Sequence, residues 1–135
     1  MAEAFNLSGG PCRSEEKHFY PELLKVGKGA GDKPSATAET EDAIKDHNEI
    51  RDAVAEVAKH RAGSAPWREA VAAANKANGD HMAEEERQGL TDFRQNADLT
   101  LRHSLAVKFA TFEARHIDGV TPVDKDPDAY IDENS

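Results

Sequence analysis

From Trp67 to Glu85 the chain is marked at steps of four and three: Trp67, Val71, Ala74, Asn78, His81 and Glu85. An α-helix, turning about 100° per residue, gathers these positions on one stripe. The stripe is narrow, like the seam of a helical bundle. Its first half is apolar and its second half polar. The alanine-rich stretch 70–77 favours helix and lets a neighbouring helix approach closely. No segment shows a convincing two-residue alternation, so the predicted class is all-α, an antiparallel helical bundle.

Other helices are readable on either side. Ser14 followed by Glu15 and Glu16 reads as a helix start, and Pro21 interrupts it. Phe19, Tyr20, Leu23 and Leu24 are its apolar anchors. A second helix is predicted from an N-cap at Thr40, with Glu41 and Asp42 in its first turn and Gly63 as its stop. Its stripe is Ala43, Ile50, Val54 and Val57, and the position that completes it is His47. Pro66 opens the Trp67 helix. Leu101, Leu105, Phe109 and Phe112 mark a final helix, roughly 97–116. The expected organisation is a disordered leader over 1–13, a helical domain over 14–118 containing a mobile linker at 27–38, and an acidic tail over 119–135.

Composition narrows the function. The net charge of −9 leaves no basic surface for nucleic acid. No apolar run has the length of a membrane span or signal-peptide core. The one cysteine, Cys12, forms no disulfide within the chain, which fits a reducing compartment; a cytoplasmic location is the expectation, with Cys12 inert. Asp124-Lys125-Asp126-Pro127-Asp128 imitates the start of a calcium loop. Ala129 and Ser135 stand where that loop needs glycine and glutamate, so the reading fails.

Polar residues on buried stripes carry the chemistry. His81 and Glu85 lie only about 40° apart on one helix face, and His47 falls on the inward face of the preceding helix. Burying such groups is costly unless they are paired or hold a metal. Imidazole nitrogen with carboxylate oxygen suits iron, zinc or manganese.

These residues also carry a resemblance. Asp46-His47-Asn48-Glu49-Ile50-Arg51, the Trp67 helix, and His81-Met82-Ala83-Glu84-Glu85-Glu86 resemble the second half of hemerythrin-like proteins, the HHE cation-binding family. Glu15-Glu16-Lys17-His18-Phe19-Tyr20-Pro21 resembles the end of that family's first repeat, where a His-x-x-x-Glu-Glu motif runs into an aromatic-Pro pair. The resemblance covers Glu15 to His116. It implies an up-down four-helix bundle holding two metal ions, usually iron, in a protein that binds, senses or detoxifies dioxygen, nitric oxide or peroxide. The ligands it implies are Glu15, His47, His81 and Glu85, the histidines terminal and the carboxylates binding or bridging.

The bundle is expected to be N-terminally incomplete. The family's first helix has no counterpart, and Pro11 stands where a first-repeat histidine belongs. Exposed seams then point to a homodimer. The expected partners are a small diatomic or peroxide ligand, with neither nucleic acid nor membrane. The alternative is a metal-free helical remnant serving as a protein-interaction or oligomerisation module. A peroxide-decomposing enzyme is the third reading.

Overall fold

A computed structural model describes residues 12–135. The expected leader therefore lies outside the described residues, apart from Cys12 and Arg13; Pro11 lies outside them as well. Among the described residues there is no strand, and the architecture is an all-helical bundle. A π-helical turn, Glu15–Phe19, runs directly into α1 (Tyr20–Val26). Then follow α2 (Ala36–Ala58), α3 (Ala65–Arg87), α4 (Gly89–Asn96), α5 (Leu99–Arg115) and α6 (Pro127–Asn134).

Helix α2 begins earlier than the Thr40 start predicted from sequence. Ser35, in extended backbone, accepts a hydrogen bond from Ala38 N, and Thr40 is buried within the helix. Ser35 wins because it follows Pro34 and satisfies a free N–H of the first turn. Helix α3 starts as expected: Ser64 accepts from Trp67 N, and Pro66 occupies the first turn, where its missing N–H costs nothing. The two helices have 23 residues each, about 35 Å long. They pack along each other through the short turn at 59–64, antiparallel.

The core lies at one end of this hairpin. Phe19, Tyr20 and Leu23 pack with Ala43 and Ile44 of α2, Phe93 of α4 and Tyr130 of α6. Phe19 and Phe93 meet edge to face, centroids 5.3 Å apart. Leu101, Leu105 and Phe109 of α5 close the cluster from outside. The 119–135 stretch, expected as a tail, carries α6, capped by Asp126 and lying against α2. What folds it is Tyr130, buried with its hydroxyl donating to Glu16 O.

The stretch 27–38, expected as a linker, divides at Ser35. Its first part is a loop held by two acids. Lys28 N and Gly29 N donate to the two oxygens of Asp92 at 2.9 and 2.7 Å. Ala30 N donates to Glu39 Oε1 at 2.8 Å. Gly29 and Gly31 take positive φ values of 95° and 63° to make the turn. Gly27 is needed for space instead: a Cβ there would sit 2.5 Å from Asp92 Oδ2 and 2.8 Å from Leu23 O. Gly27→Ala should destabilise the fold by about 1–3 kcal/mol, read by urea denaturation. An unchanged midpoint would mean that the loop gives way freely.

Candidate metal centre

The two N-terminal acids that meet the hairpin lie at the start of the π-turn. Tyr20 N bonds to Glu15 O, one residue beyond α-helical spacing. Glu15 and Glu16, adjacent in sequence, grip the same imidazole from opposite ends. Glu15 Oε2 lies 3.0 Å from His47 Nε2, and Glu16 Oε1 lies 3.0 Å from His47 Nδ1. His47 is fully buried on α2. Across from it, His81 of α3 places Nε2 3.0 Å from His47 Nε2, the rings edge to face at 4.6 Å. His81 Nδ1 lies 3.2 Å from Asp46 Oδ2.

Each Nδ1 therefore faces a carboxylate, to which its N–H donates. That fixes the tautomer and leaves each Nε2 with a lone pair. The two lone pairs point at each other and at Glu15 Oε2. Such a convergence is repulsive unless a positive charge sits among the donors, either a proton or a metal ion. Glu15, His47 and His81 each present a donor atom, all within 4.8 Å of one another. A cation 2.0–2.2 Å from each donor wants donors roughly 3.0–3.5 Å apart. The observed separations are 3.0 Å to His47 from each of the others and 3.8 Å between Glu15 and His81. The residues fit a cation.

Of the four residues implied by the resemblance, the structure brings three into one cluster. The fourth, Glu85, stands beside it, with Oε2 3.9 Å from His81 Nε2. Its Oε1 accepts from the Tyr20 hydroxyl at 2.6 Å. His18 belongs elsewhere, packed on Phe112 and Phe109. His60 pairs with Glu56, and His116 closes α5 stacked on Phe112.

Proton affinities follow from these contacts. Burial disfavours the charged form of Glu16, yet His47, Lys125 and Arg51 pull its carboxyl down to about 2. Burial works against His81 too, but Asp46 and Glu15 raise its imidazole to about 9. His47 is likewise raised, burial being outweighed by Cys12, Glu15 and Glu16. Glu85 is pushed up to about 7 by burial and by the Glu15 charge. Without a cation, the centre holds protons in its place.

Several of these partners had no signal in the sequence. Glu16 Oε1 also accepts from Arg51 Nη1 at 2.8 Å, and Oε2 pairs with Lys125 Nζ at 2.5 Å. Lys125 is anchored in turn: its N–H donates to Asn48 Oδ1, and its carbonyl accepts from Asn48 Nδ2. Arg51 Nε donates to Asp124. The segment read as a failed calcium loop thus braces the carboxylate behind His47. No spacing rule links residues so far apart. Asp46 and Glu16 adjoin predicted ligands, and that adjacency was the one available hint.

An antiparallel helical bundle with two imidazoles and carboxylates converging between its helices defines a class, the bundle metal-site proteins. The sequence model of the hemerythrin HHE cation-binding domain matches residues 13–91, more than half of the 135. The chain belongs to that family. No curated protein and no solved structure matches it significantly. Helices α5 and α6 lie beyond the matched residues. No helix among the described residues is long and apolar enough to cross a membrane.

Proposed function

We propose that the chain is a hemerythrin-like iron protein of the cytoplasm that binds, senses or detoxifies dioxygen, nitric oxide or peroxide. The observation that carries this reading is the facing pair of His47 and His81 Nε2 atoms with Glu15 Oε2 beside them. Two histidines and one carboxylate are the donor set of non-haem ferrous sites with open positions. Iron, when bound, supplies a position at which a small oxygen or nitrogen-oxide ligand can coordinate.

The chain's own residues do the rest. His47 and His81 are the terminal ligands, and Glu15 is the anionic one. Glu16 and Asp46 keep both imidazoles in the tautomer that offers Nε2. Glu85, held at one oxygen by the Tyr20 hydroxyl, stands beside the cluster with its other oxygen 3.9 Å from His81 Nε2. The buried aromatic rings of Phe19 and Tyr20 limit water on that side.

Anaerobic reconstitution with ferrous iron, followed by metal analysis and an ultraviolet-visible spectrum in air, tests the reading. Wild type should retain stoichiometric iron, and His47→Ala should retain none while keeping its helical circular dichroism. Wild type free of iron after reconstitution would overturn it.

A second reading, an interaction or oligomerisation module, draws on Leu99 and Val107, which are 73% and 52% exposed on α5. It predicts a homodimer by sedimentation that Leu99→Asp with Val107→Asp dissociates. A monomeric wild type sinks it.

A further inference from the structure

A cavity of about 480 Å³ opens between the segment 13–17, α5 and α6, and none of Glu15, His47 and His81 lines it. Small-molecule sites occupy roughly 300–1,000 Å³. Two of its three walls, α5 and α6, lie beyond the residues 13–91 that the family model matches. Its charges are sorted by wall. Arg13 and Lys17, both exposed, stand on the first wall; Asp126 and Glu133, also exposed, stand on the α6 wall. Lys125 and Glu16 also line the cavity, but they pair with each other at 2.5 Å. Among the described residues no ion pair joins Arg13 or Lys17 to the acids of α6. Asp126 accepts from Ala129 N with one oxygen and keeps the other. Buried Phe112 and Tyr130 form an apolar floor, and Lys17 Nζ stands 5.8 Å from the Phe112 ring centroid, where charge meets floor. A simple anion would suit the first wall and be repelled by the acids of α6; a simple cation would meet the reverse. A ligand that carries both charges satisfies both walls.

We propose that this cavity binds a small zwitterion of the aromatic α-amino-acid type. Its carboxylate pairs with Arg13 and Lys17, its ammonium with Glu133 and the remaining oxygen of Asp126, and its ring covers the floor of Phe112 and Tyr130. Arg13, Lys17 and Glu133 are long, exposed side chains that can close on the two charges from opposite walls. The site does not depend on the metal-binding reading above, since it shares no donor with the cluster of Glu15, His47 and His81.

Isothermal titration calorimetry of the full chain, without added metal, tests this with L-phenylalanine as the probe. 3-Phenylpropionate lacks its ammonium group and 2-phenylethylamine lacks its carboxylate. L-Phenylalanine should bind about tenfold or more tightly than either, because each analogue leaves one charged wall unanswered. Lys17→Gln and Glu133→Gln should each weaken its binding about tenfold, with unchanged far-ultraviolet circular dichroism, both side chains being exposed. Equal binding of 3-phenylpropionate or of 2-phenylethylamine would overturn the zwitterion. L-Phenylalanine binding that both variants leave unchanged would overturn the location. No heat of binding from L-phenylalanine at millimolar concentration would overturn the site. Iron retention after reconstitution is a separate readout, so either reading can fail without the other.

Discussion

Glu16→Ala is expected to destabilise the metal-free protein by about 3–5 kcal/mol, the range for removing one partner of a buried ion pair. Glu16 is 2% exposed and answers three groups at once: His47 Nδ1, Arg51 Nη1 and Lys125 Nζ. The first two are themselves buried, so truncation strips the imidazole of its Nδ1 partner and leaves the guanidinium only the half-exposed Asp124, and each loses a buried counter-charge. For a chain of this size the melting temperature should fall by about 10 °C or more. The same substitution frees the His47 ring to turn, and iron affinity should drop about ten- to a hundredfold. Thermal melts of the metal-free protein and competitive metal titration read the two effects separately. A loss under about 1 kcal/mol would show that the cluster is solvated and contributes no more than surface pairs do.

The second large effect lies at the loop acids. Burial and the neighbouring Asp92 raise Glu39 to about 8, while Asp92 itself is lowered, against burial, by the N–H groups of Lys28 and Gly29 and by Glu39. Glu39 Oε2 is buried with no conventional partner. A proton on that oxygen, directed at Asp92, satisfies it. Unfolded, Glu39 ionises near the ordinary 4.5. Between that pH and about 8 the folded chain holds a proton that the unfolded chain has lost, so Glu39 makes stability fall as pH rises through this window. The slope approaches 1.4 kcal/mol per pH unit where the two states differ by a whole proton.

Glu39→Gln keeps the geometry and removes the titration. Its amide oxygen can accept from Ala30 N, and its NH₂ can donate to Asp92. The variant should match wild type near pH 4.5 and exceed it by a few kcal/mol at pH 8, read from denaturation midpoints across pH. Parallel stability curves for the two proteins would refute the buried proton.

The sequence by itself determined the two long helices of the hairpin and their inward positions. Steps of four and three from Trp67 place His81 on the inner face of α3, and His47 completes the stripe of α2. Those two ends of the centre needed only helical geometry. The π-turn was illegible, because a run of acids ahead of Phe19 does not announce an extra residue per turn. At the start of this turn Glu15 and Glu16 take opposite ends of one ring.

Helix α6 was missed for a different reason. Eight residues with a single large aromatic make no stripe, and what holds them is Tyr130 finding the carbonyl of Glu16. Lys125, Asp124 and Asn48 meet there only because the backbone between them folds back across α2.

Periodicity is a short-range property, set by the angle between successive residues, so a sequence displays which side chains share a face. Which faces meet, and which charges are left to neutralise one another inside, depends on contacts between distant segments. The tertiary structure alone decided that Glu85 is held aside by Tyr20, that Glu16 is braced from the C-terminal end of the chain, and that Cys12 is buried.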